Sequence, residues 1–417
     1  MDEAWLQILS HCSIEDIIRF RRVSSTFQKL CHIALKTQKS INMGVDCPSA
    51  IHNGDAMASA LEHLCTNLRE LTIEVKSANE KYDCVPSTST VNSAVVKVLA
   101  EKARKLRSFR ISRMTVTLDA MQSFCDLPPT LETFIIQNSL IDCTEWDVVT
   151  NLRSSFEKMF QNCQQLRHLD VSGRSLSSER FHLPPSVLEH LPNTIEHLAI
   201  AVGSSLKIEH LSFLKNKKLK SLLLHRSFIS ASSLEDLIPM SSSITHLDLS
   251  YSVNLRDATS ISQLTRLTHL ELRNNREALD DSSFQKIATN CSGLITLSID
   301  QCCDLTRESL IYIGDLKALE KLTISGISNV DDTVCYSIAR CVKIRYLDMN
   351  FCRRITRFGL QSILSSLPLL NHLEVLGISG YSHQMLSKQS NFPKKVVSDM
   401  PIQRMTFKLP PIPPSCA

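Results

Sequence analysis

Leucine and isoleucine recur along this chain in one short pattern, L-x-x-L-x-L, that alternates apolar and polar positions. It begins at Leu68 (LRELTI), Leu106 (LRSFRI), Leu131 (LETFII), Leu166 (LRHLDV) and Ile195 (IEHLAI). It continues from Leu219, Ile244, Leu267, Leu294, Leu319, Ile344 and Leu373 (LEVLGI), with a weaker thirteenth unit from Ile402 (IQRMTF). The starts from Leu219 to Ile344 are 25, 23, 27, 25 and 25 residues apart. Alternation predicts a short strand whose first, fourth and sixth residues point inward and whose third and fifth point outward. Such a strand cannot bury its apolar side alone, so neighbouring units must stack. Between strands, residues 306–316, 331–341 and 356–367 each open on Thr or Asp, good helix N-caps. Each then spaces its apolar residues helically, as at Leu310, Ile313 and Leu316. The prediction is an α/β chain with parallel strands on a concave face and helices on a convex one.

Cysteines fall at set places in this period. Asn290, Cys291, Cys302, Leu305 and Thr306 form one set, and Cys341, Cys352, Ile355 and Thr356 another. The pattern resembles the cysteine-containing class of leucine-rich repeats, whose period is roughly 20–29 residues. That resemblance implies a right-handed leucine-rich-repeat solenoid of about twelve repeats over 68–382, with the cysteines as small core fillers and weak S–H donors. Segments 76–92, 138–155 and 173–187 interrupt the early repeats with polar, Ser- or Pro-bearing stretches, which are expected to be loops.

Residues 1–31 do not follow the repeat and read as three short helices, near 3–11, from Ser13, and near 23–31. Ser13 with Asp16 occupies a capping-box spacing. About thirty residues bury too little apolar surface to be strongly stable alone. The stretch nonetheless carries Trp5, Leu6, Ile8, Leu9, Ile14, Ile17, Ile18, Phe20, Val23, Phe27 and Leu30. Part of that surface must be covered by the repeats or by a partner. The segment resembles an F-box, aligning without gaps to L-P-x-E, an apolar helix, L-x-x-x-D-L and V-C-x-x-W. Glu3, Ile8, Leu9, Ser10, Asp16, Ile17, Ile18, Val23 and Leu30 match, and Phe27 stands where Trp is usual. The whole chain is similar to the F-box/leucine-rich-repeat proteins, substrate receptors of SCF cullin–RING ubiquitin ligases. This implies a Skp-family adaptor, and through it a cullin–RING ligase, held at Leu6, Ile8, Leu9, Ile14, Ile17, Ile18, Phe20, Val23 and Phe27. The family's Leu-Pro start has no counterpart, Met1 standing at the Pro position. Either adaptor docking is weaker, by about 2 kcal/mol for one buried Leu, or a segment upstream is missing. A second reading makes residues 1–40 a mere cap on a protein-binding scaffold. Residues 41–67 are expected to be a linker and capping segment, and 383–417 a tail with a possible last strand and a Pro-rich end.

Composition narrows the function. A net charge of +4 and 21% charged residues give no footprint for nucleic acid or an anionic membrane. No apolar run nears the roughly 20 residues needed to cross a bilayer. Fifteen cysteines, an odd number, none in C-x-x-C spacing, point to a reducing cytosol or nucleus and to no metal or other cofactor. With ten glycines there is no phosphate loop or G-x-S-x-G elbow, so no enzyme is expected. The outward strand positions carry His168, Asp170, His197, His246, Asp248, His269, Glu271, Tyr346 and Asp348. Adjacent strands lie about 4.8 Å apart, so His246 and His269 should be neighbours with Asp248 and Glu271 beside them. That row is the candidate face for a protein substrate.

Overall fold

A computed structural model describes residues 2–75, 89–142, 148–172, 183, 185–200, 207–208, 211–252, 254–378 and 395–398. Much of the three early interruptions, the Pro-rich end and the unit from Ile402 lie outside the described residues. The chain forms two compact units: Met1–Leu206 with Asn216–Leu219, and Lys207–Lys215 with Lys220–Ala417.

The first unit opens with three helices, α1 (Asp2–Leu9), α2 (Ile14–Phe20) and α3 (Ser25–Lys36). Ser13 caps α2, its hydroxyl accepting from the Asp16 amide at 3.1 Å and donating to the Asp16 carboxylate at 2.7 Å. Ser24 caps α3 through the Phe27 amide at 3.1 Å. Strands Ser40–Asn42, Glu70–Glu74, Ser108–Ser112, Thr133–Gln137, His168–Val171 and His197–Ile200 then pair in order, each parallel to the next. The sheet therefore starts at Ser40. The segment read as a linker and capping segment over 41–67 contributes most of that strand and the helix Gly54–Leu61. Its short Ser-Ile-Asn strand lacks the leucines that mark later units. Behind the strands, Phe109, Phe124, Phe134, Phe156 and Phe160 are fully buried. Phe124 meets Phe134 edge-on at 4.9 Å, a favoured aromatic geometry. Beside the early repeats, Thr90–Val91, Thr115–Thr117 and Leu140–Asp142 form a small parallel sheet of their own.

The second unit repeats more strictly. Strands Ser221–Leu223, His246–Asp248, His269–Glu271, Thr296–Ser298, Lys321–Thr323, Tyr346–Asp348, His372–Val375 and Lys395–Ser398 pair in parallel, again in chain order. Leu347 pairs with Leu373, so Leu373 is the fourth residue of its unit and not the first. The twelfth repeat is LNHLEV from Leu370, a correction of three residues. After each of the first seven of these strands a residue turns left-handed: Arg226, Tyr251, Asn274, Gln301, Gly326, Phe351 and Gly377. A non-glycine there is strained. The ladder holds it: amides such as those of Tyr251, Gln301 and Phe351 donate to the next repeat's backbone at 2.6–2.8 Å.

The returns are helical where their spacing predicts, over Asp332–Ile338 and Arg357–Ser366, but one of them is shorter. Residues 306–316 hold α-helix over Arg307–Leu310 and then tighten to a 3-10 turn over Ile311–Asp315. Neighbouring returns are stapled by carboxylates. Asp281 accepts from the Thr306 amide and hydroxyl at 2.8 and 2.7 Å. Asp332 does the same for Thr356 at 2.8 and 2.6 Å, and also for the Gly359 amide at 3.1 Å. A Cβ on Gly359 would sit 2.4 Å from that carboxylate, so the staple needs glycine. Asp332→Ala is expected to destabilise the second unit by about 2 kcal/mol, since bonds to a charged acceptor are worth roughly 1.5–3 kcal/mol. Thermal melts of the two proteins check this, and an unchanged midpoint would refute it. The repeat cysteines are buried core, as their pattern implies: Cys302 and Cys352 thiols donate to Leu272 and Ile324 carbonyls at 3.1 and 3.3 Å. Burial pushes both thiols up to about 12, which keeps them unreactive.

Candidate partner-binding surfaces

Helices α1 and α2 both pack on α3. Leu9, Ile14 and Ile17 point into that packing and are buried, with Leu30, Cys31, Ala34 and Leu35. This corrects the expectation that Leu9, Ile14 and Ile17 offer a docking surface: they hold the module together. Leu6, Ile18 and Phe27 are half-buried. Trp5, Ile8, Phe20 and Val23 stay outside, with Ile8 51% and Val23 66% exposed. Phe27 meets Trp5 edge-on at 4.9 Å, so an indole from α1 lies beside the smaller ring at position 27. Trp5 was not among the expected contact residues. Its mismatch with the family pattern hid it, although a large aromatic in a short apolar helix was a visible signal.

In the first unit's strand face, His168 and His197 lie in register with rings stacked at 5.2 Å. Burial, and then the neighbouring His197, push His168 down to about 4, so at neutral pH it is an uncharged imidazole. Asp170 accepts from the Ser172 amide and hydroxyl at 2.9 and 2.5 Å, and burial nonetheless holds its carboxyl above the ordinary range.

The second unit brings together what the sequence spacing predicts for the other pair. His246 pairs with His269 and Asp248 with Glu271. The two imidazoles stack at 3.9 Å with planes 9° apart. Each ring Nδ1 lies 2.8 Å from the hydroxyl of the preceding threonine, Thr245 or Thr268. Burial raises the Glu271 carboxyl, and Asp248 beside it raises it further, while the Arg273 guanidinium at 2.9 Å opposes. Tyr346 and Asp348 are not beside this group; strands Thr296–Ser298 and Lys321–Thr323 intervene. They join a separate cluster that sequence reasoning missed. Tyr346 stacks on His372 at 4.5 Å and donates to Glu374 at 2.9 Å. His372 and Asn350 also bond Glu374, at 2.8 and 3.0 Å. Burial alone would raise Glu374, but these three bonds outweigh it and hold the carboxyl low. The misplaced start at Leu373 concealed His372 and Glu374, whereas LNHLEV repeats the (L/I)-x-H-L-(D/E) signature of the units from Leu166, Ile244 and Leu267.

Such a face can hold a protein through hydrogen bonds and ion pairs. Among the described residues no cluster of three or more His, Cys, Asp or Glu could hold a metal ion. No described helix is long and apolar enough to cross a membrane.

Comparison with known proteins bears on the N-terminal helices and on the fold of the repeats. Residues 2–37 match the F-box domain. The fold is similar to a chain of the yeast Rad7 and Elc1 complex, with TM-score 0.54 and 15% identity over 94% of this chain and 92% of that one. It is also similar to an internalin of Listeria monocytogenes, with TM-score 0.52 and 17% identity over 88% of each chain. Residues 2–37 thus match the F-box domain, and the strands and returns that follow have the leucine-rich-repeat fold.

Proposed function

We propose that this chain is the substrate-recognition subunit of an SCF-type cullin–RING ubiquitin ligase. The F-box docks a Skp-family adaptor, and the strand face of the repeats holds a protein substrate. The observation that carries this reading is the F-box domain whose own packing leaves Trp5, Ile8, Phe20 and Val23 uncovered. A cap serving its own repeats would bury such a set. The chain supplies no reacting group; it raises ubiquitin transfer by holding substrate near the transfer machinery, an effect worth several kcal/mol. A receptor of this kind would work in the cytoplasm or nucleus, as the unpaired cysteine usage suggests.

The test is a pull-down of the tagged full chain from cells, probed for the adaptor and cullin. Co-recovery supports the reading, while a soluble, folded chain that recovers neither overturns it. Substrate capture should depend on a different surface. Tyr346→Ala removes the ring stacked on His372 and the bond to Glu374, and tyrosines often anchor interfaces. We expect about tenfold weaker substrate capture with adaptor recovery unchanged. Equal loss of both would place the effect on folding and refute the assignment of this face.

A further inference from the structure

A cleft of about 510 Å³ in the first unit lies where the F-box meets the first repeats. Its walls come from three separate stretches: Ile33, Lys36 and Thr37 at the end of α3, Lys39 at the first strand, and Asn67, Arg69 and Lys105 from the next two repeats. Four cations face this space and no carboxylate lines it. Their combined charge equals the net charge of the whole chain, +4. Among the described residues none of the four is ion-paired.

Local structure does not account for that concentration. Cations are favourable near a helix C-terminus, but the end of α3 is already capped by other groups. The Thr37 hydroxyl donates to the Ala34 carbonyl at 2.7 Å, and the Asn67 side chain to the Lys36 carbonyl at 2.9 Å. Lys105 donates to Asn67 at 2.7 Å, which fixes one ammonium at the rim. Holding like charges together costs free energy that an anionic occupant would recover. Ile33, 49% exposed, adds an apolar wall. No aromatic side chain lines the cleft, so it offers nothing on which a nucleotide base could stack.

We propose that this cleft seats an acidic segment of a partner protein, with carboxylates on Lys36, Lys39, Arg69 and Lys105 and an apolar residue against Ile33. A segment so placed touches the F-box helix and the repeats at once, and binds independently of whether the chain serves a ligase. Lys39 and Arg69 are exposed, so their side chains can be changed without opening the core.

The test uses the full chain and a short fluorescein-labelled peptide of glutamates around a central leucine, followed by fluorescence anisotropy. We expect the glutamate peptide to bind and its glutamine counterpart not to. Binding should weaken several-fold between about 50 and about 300 mM salt, as screening shortens the reach of the charges. Lys39→Glu with Arg69→Glu should lose about tenfold or more in affinity with an unchanged melting temperature, and the neutral pair Lys39→Gln with Arg69→Gln should fall between. The proposal is overturned if the charge-reversed protein binds like the native one, or if the glutamine peptide binds equally. It also fails if inorganic phosphate displaces the peptide at equal concentration, or if a short single-stranded DNA competes better than the peptide.

Discussion

Ile8→Asp together with Val23→Asp is expected to abolish recovery of a Skp-family adaptor, a loss of about a hundredfold or more. Both side chains stand on the outer side of the F-box helices, 51% and 66% exposed. Covering such a residue at an interface is worth roughly 1–2 kcal/mol, and a carboxylate forced into the same contact adds a desolvation cost. Two such changes reach about 3 kcal/mol, which is about a hundredfold in affinity. The folded module should survive, because Ile8 and Val23 contribute little to its interior. Leu9→Asp or Ile17→Asp would be uninformative: those residues are 1% and 2% exposed, and a charge there unfolds the helices. Circular dichroism and the melting temperature of the double variant establish that the fold is intact. Undiminished adaptor capture by a folded double variant would remove this face from the adaptor contact.

The difference between Leu9 and Ile8 also shows where sequence reasoning stops. In α1, Trp5, Leu6, Ile8 and Leu9 share one broad stripe, so helical periodicity marks the apolar side without naming which of them is covered. Only the packing against α3 decides. The repeats were more legible, because a period of two in the strand assigns each residue to one side. Even there the pattern overlaps itself. Leu370, Leu373 and Leu376 allow two starts three residues apart, and the spacing of 26 from Ile344 to Leu370 is the one that continues the series. Strand Ser40–Asn42 escaped because one isoleucine, Ile41, replaces the leucine framework. The His246–His269 stack was foreseeable from equal positions in adjacent units. The basic cleft was not, since its cations are scattered over three segments and only the fold gathers them.

Replacing His168 by glutamine is expected to remove a pH dependence from the stability of the first unit. In the unfolded chain His168 titrates near 6.5, and in the folded one burial, His197 and Arg110 hold it down to about 4. Between those values the unfolded chain binds the proton and the folded chain does not, so acid favours unfolding in that window. The contribution is fully present above pH 6.5 and is lost as pH falls towards 4. A depression of this size corresponds to about 3 kcal/mol. Asp170 on the same strand acts with the opposite sign, because burial raises its carboxyl. The native protein alone therefore mixes the two, and the difference between native and His168→Gln isolates the imidazole. Hydrogen exchange of strands His168–Val171 and His197–Ile200, measured near pH 7 and near pH 4.5, reads the local stability. The native strands should lose more protection on acidification than those of the variant, by a margin approaching about 3 kcal/mol. Parallel loss in both proteins would mean that His168 titrates normally in the folded state. The ring stack would then leave it open to water, and a charged His168 would be available to a partner at mildly acidic pH.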